Sequence, residues 1–79
     1  MNRYPMIDLV KTGENITRLM KLNNIKISDL QEILGFEYPQ AIYKWKRGES
    51  LPSIDNLVVL AELFKTPIDK IIVKEEFGK

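Results

Sequence analysis

Gln40, Tyr43, Lys44 and Arg47 recur at i, i+3, i+4 and i+7, which places them on one face if the segment is helical. All four are long, all can hydrogen-bond, and none is acidic. A glutamine amide donates and accepts at once and so matches the N6 and N7 of adenine, while a lysine ammonium can donate to O6 or N7 of guanine. A tyrosine offers its hydroxyl to a phosphate or its ring to a thymine methyl. Ile42 and Trp45 are three apart on another face, with Phe36 a few residues upstream as a companion. Trp45 is read as core rather than as a stacking platform. Taken singly, Lys44 and Lys46 would be an ordinary solvated face, and Tyr43 a cover for the edge of Trp45. The joint placement of polar and basic groups opposite an apolar anchor is what points to contact with a nucleic acid.

The whole chain sets limits on that reading. Seventy-nine residues are read as a single domain over 1–79, with a core over 12–72. Domains this small bury only about 60% of the surface exposed on unfolding, so helix packing must be dense. Cysteine and histidine are both absent, which removes thiolate staples, the usual zinc ligand and the usual general base. With no phosphate-cradling loop, and with Glu75 and Glu76 in the tail, no set of groups converges on a catalytic site. An enzyme is not expected, nor a cofactor, a metal or a small-molecule ligand. No apolar run approaches the roughly 20 residues of a membrane span, and the first ten residues lack the apolar core of a signal peptide. A cytoplasmic protein is the expectation. The net charge is only +1, yet residues 39–48 carry Lys44, Lys46 and Arg47 with no acid. The remaining 69 residues hold 9 bases against 11 acids, a balance of −2. Positive charge is thus focused on one segment of a near-neutral body.

Five short helices position these groups, in a compact all-α bundle. Thr12 reads as the N-cap of a helix over 13–23, whose stripe is Ile16, Leu19 and Met20, extended by Leu22. A second helix spans 27–34 with Leu30, Ile33 and Leu34 apolar, and Gly35 follows where a left-handed residue ends a helix. "SDLQ" at 28–31 also fits a capping box, which would move that start by two residues. The third helix begins at Pro39, tolerated at a first helical position, runs to about Lys46 and stops at Gly48. Ser53 caps a fourth over 54–65, apolar on most sides through Ile54, Leu57, Val58, Leu60, Ala61 and Phe64 and hence expected at the centre. "TPID" at 66–69 starts a short fifth helix through Ile68, Ile71 and Ile72. The tail from Val73 onward is read as frayed. Two helices joined by Gly35, Phe36, Glu37 and Tyr38 form a helix-turn-helix arrangement. The second of them can project from the body into a DNA major groove.

The run from Thr12 to Ile72 resembles the Cro and lambda-repressor-like helix-turn-helix domains of bacterial and phage regulators. Its most specific part is Trp45, Gly48, Pro52, Ser53, Leu57, Leu60 and Phe64, and Ile16, Leu19, Leu30, Gly35 and Ile42 also fit. The resemblance implies five helices, a double-stranded and palindromic DNA operator as partner, and binding as a homodimer by a repressor or activator. It places the base-reading positions on Pro39, Gln40, Tyr43 and Lys44, with Tyr38 just before them. Phosphate contacts fall near Lys26, Ile27 and Ser28, and on Arg47 and its neighbours.

Three departures from the pattern matter. Gln31 stands where many members carry alanine. Gly35 to Trp45 is one residue longer than in most members, so the turn must differ. Met20 and Lys46 replace an arginine–glutamate pair; since both partners are absent together no buried charge is orphaned, and Lys46 is free to face a phosphate. The expected dimer surface has two readings. Val59, Leu63, Ile72, Val73 and Phe77 either form a two-fold contact or pack against the fifth helix. A functional reading of another class is a protein-interaction module, such as an antitoxin or antirepressor, built on the same bundle.

Overall fold

The computed structural model describes residues 6–75. Its helices are α1 (Leu9–Leu22), α2 (Ile27–Leu34), α3 (Gln40–Arg47), α4 (Ile54–Phe64) and α5 (Ile68–Ile71). Local chemistry fixes most boundaries. Asp29 accepts from the backbone N–H of Lys26 at 2.9 Å, which sets the start of α2 at Ile27 rather than two residues later. Ser53 caps α4 by accepting from Asn56 N–H at 3.3 Å. At the other ends Gly35, Gly48 and Lys65 adopt φ of 72°, 76° and 52°. Each left-handed residue lets the next N–H reach back to the last turn, as Phe36 does to Gln31 O at 2.9 Å.

Several boundaries differ from the sequence expectation, most of them by one residue. α1 starts at Leu9, four residues early, with Asp8 as N-cap accepting from Lys11 N–H at 2.9 Å. Thr12 caps nothing: it is fully buried, and its hydroxyl accepts from Val73 N–H at 2.9 Å. Pro39 stands as the N-cap of α3, one position before the helix, and Pro67 likewise precedes α5. The stretch after Ile72 was read as frayed, but Val73 to Glu75 are held. Asp8 N–H donates to Val73 O at 2.8 Å, Glu75 N–H donates to Met6 O at 2.6 Å, and Ile7 and Lys74 form an antiparallel bridge. Backbone partners at opposite ends of the described chain leave no local signal in the sequence.

The core gathers Ile16, Leu19 and Met20 from α1, Leu30 from α2, Ile42 and Trp45 from α3, Leu57, Leu60 and Phe64 from α4, and Ile71 from α5. α4 is less central than its composition suggests. It buries one stripe, while Ile54 and Val58 remain 71% and 54% exposed. Leu22 and Ile33, at the margins of their helices, are also exposed. α1 is the element that holds α3. A Cβ on the buried Gly13 would lie 2.8 Å from the carbonyl oxygen of Lys46 and closer still to that of Trp45. Only glycine lets the last turn of α3 lie against the α1 backbone at this point.

Candidate nucleic-acid interface

The connection between α2 and α3 runs from Gly35 to Pro39 and is braced at both ends. Phe36 packs edge-on against Trp45, with ring centroids 5.9 Å apart and planes at 68°, a favoured aromatic geometry. Gln31, half-buried on α2, donates through Nε2 to the carbonyl oxygen of Glu37 at 3.0 Å. The amide thereby spans the longer turn from the position where the resembling family has alanine. Tyr38 does not cap α3; its side chain is 64% exposed, just ahead of the helix.

α3 presents two faces. Ile42 and Trp45 are buried against the core. Gln40, Tyr43, Lys44 and Arg47 are all exposed on the opposite side. The structure thus brings four of the sequence-derived positions onto one surface and puts Tyr38 at its leading edge. Lys26 and Ser28 are exposed at the start of α2, and Lys46 is half-buried on the flank of α3. Lys44, Lys46 and Arg47 also occupy the last turn of α3, where cations are favoured by the negative end of the helix dipole. That local benefit accounts for their presence on α3; it does not account for the absence of acids from its exposed face.

Arg47 is engaged. Its guanidinium donates to Glu49 from Nε and, at 3.3 Å, from Nη2. That hydrogen bond and the attraction of the charge hold the Glu49 carboxyl below its ordinary range. The segment 39–48, free of acids, ends one residue short of this partner, and so the sequence reading missed it. Opposite charges flanking the left-handed Gly48 were the available signal.

The proposed dimer residues divide. Leu63 and Ile72 pack against the core, Val59 and Val73 are half-buried, and Phe77 lies outside the described residues. No helix among the described residues is long and apolar enough to cross a membrane, and no group of three or more metal-ligating side chains occurs among them.

Comparison with known proteins agrees with this fold. The helix-turn-helix family model matches residues 16–71, most of the chain. Among solved structures, the crystal structure of the DNA-binding domain of BldD superposes with a TM-score of 0.67 at 13% identity, covering 84% of this chain and 94% of that one. At that identity the likeness concerns the fold. No curated protein matches significantly.

Proposed function

The chain belongs to the helix-turn-helix family, and on that premise we propose that it is a sequence-specific regulator of transcription acting on double-stranded DNA, most simply as a repressor. The observation that carries the reading is the exposed face of α3, where Gln40, Tyr43, Lys44 and Arg47 stand clear of the core while Ile42 and Trp45 lock the helix down. α3 enters the major groove. Gln40, Lys44 and Tyr43 or Tyr38 reach base edges, and Lys26, Ser28, Lys46 and Arg47 fix the register on phosphates. A single copy makes few charged contacts and binds weakly at physiological salt. Two copies on half-sites about 34 Å apart give useful affinity. The exposed pair Ile54 and Val58, rather than the packed Leu63 and Ile72, supplies apolar surface for the contact between them.

Selection of bound sequences from a random duplex pool tests this reading. A palindromic consensus is the expected outcome, and absence of any binding at low salt overturns it in favour of a protein-binding module. Gln40→Ala should cost about 1–3 kcal/mol at one base position and relax the preference there. Repeating the selection with that variant checks it: an unchanged consensus would remove Gln40 from the reading surface.

A further inference from the structure

The described surface contains a recess where α1, α2 and α3 meet. Lys21 from the last turn of α1, Lys26 at the N-cap of α2 and Lys46 of α3 all line it, together with Thr17, Asn24 and Ile27. A second recess shares Thr17, Lys21 and Lys46, and adds Arg18 and Glu14. Four cations from three elements therefore face these openings against one acid. None of the three lysines forms an ion pair among the described residues. Like charges lining one opening repel one another, and that repulsion is relieved when an anion enters. The recess takes in Lys46 on the flank of α3 and Lys26 at the N-cap of α2. An anion seated there lies between α3 and the start of α2. A duplex whose groove holds α3 carries such anions at regular spacing along its backbone.

We propose that this recess seats the sugar-phosphate backbone of the bound duplex, and that Lys21 is a DNA contact on α1, outside the helix-turn-helix motif itself. The inference rests on the DNA-binding reading above and adds to it a third element and a residue that the charge pattern along the chain did not single out. Lys21, exposed on a helix surface, can be changed without touching the core.

The test is a salt titration of duplex binding by fluorescence anisotropy, with the full chain and the variants Lys21→Ala, Lys21→Arg, Arg47→Ala and Lys70→Ala. Lys70 lines neither recess and serves as the control for net charge. Each phosphate contact contributes about 0.9 to the slope of log K against log salt. Lys21→Ala should therefore flatten the slope by about 1 for each bound copy, on selected and random duplexes alike, with Lys21→Arg restoring it and Lys70→Ala leaving it unchanged. An unchanged slope in Lys21→Ala, or an equal loss in Lys70→Ala, overturns the inference while the regulator reading stands. If the unaltered chain binds no duplex at low salt, both fall together. Thermal melts of each variant separate lost contacts from lost folding.

Discussion

The Arg47 guanidinium donates to Glu49, so a phosphate approaching it must compete with a carboxylate already in place. Both side chains are about half exposed, and a surface pair of this kind adds little stability. Its consequence is for binding. Glu49→Gln should raise affinity for all duplexes alike and steepen the salt dependence, because Arg47 is released and a repelling charge is removed. Anisotropy titrations check it, and unchanged affinity would exclude Arg47 as a phosphate contact. Acidification should act in the same direction. The Glu49 carboxyl is held low by Arg47, so the pair persists above the ordinary carboxylate range and is lost as pH falls through the lowered value. Lys44 and Gln40 make no side-chain hydrogen bond among the described residues, although the Lys44 charge also acts on the Glu49 carboxyl, and their residue types and spacing are legible directly in the chain.

At the scale of the element, α3 is placed by neighbours more than by its own sequence. The stripe of Ile42 and Trp45 says which face turns inward; Gly13 says how near the helix can come. Gly13→Ala should set a methyl group into the carbonyls of Trp45 and Lys46. Backbone cannot yield there as a flexible side chain would, and the expected loss is about 1–3 kcal/mol, the usual cost of overpacking. Urea denaturation measures it, and wild-type stability in that variant would show that α1 and α3 are not so closely joined. Gly13 gave no signal in the chain, since a glycine inside a helical pattern reads as a weakness. Gln31 departs from the family pattern in the sequence, but its role is set by the bond to Glu37. That bond links the length of the turn to the position of Tyr38.

For the molecule as a whole, the two ends of the described chain close on each other. Thr12 is fully buried, and its hydroxyl is the partner of Val73 N–H, so α1 and the segment after α5 are joined through one side chain. Thr12→Val keeps the shape and removes the acceptor. An unpaired buried donor costs about 1–3 kcal/mol; Val73 is half-buried, so a loss of about 1 kcal/mol is expected in denaturation experiments, with faster exchange of the Val73 amide. A variant as stable as the parent would mean that the closure is carried by the backbone pairings of Asp8 and Met6 and by Asn15, which donates to the carbonyl oxygens of Lys70 and Ile71.

Five helices, the glycine stops, the capping by Ser53, the inward turn of Trp45 and the residue types on the face of α3 can all be read along the chain. Each of these depends on groups within about one or two turns of one another, so residue types and spacing suffice. The early start of α1, the burial of Thr12, the exposure of Ile54 and Val58, the pairing of Arg47 with Glu49 and the meeting of Lys21, Lys26 and Lys46 were decided by the tertiary structure. Apolar character says which side chains gain from burial; it does not say what surface is there to cover them. Charge counted along the chain likewise misses cations that only folding brings to one opening.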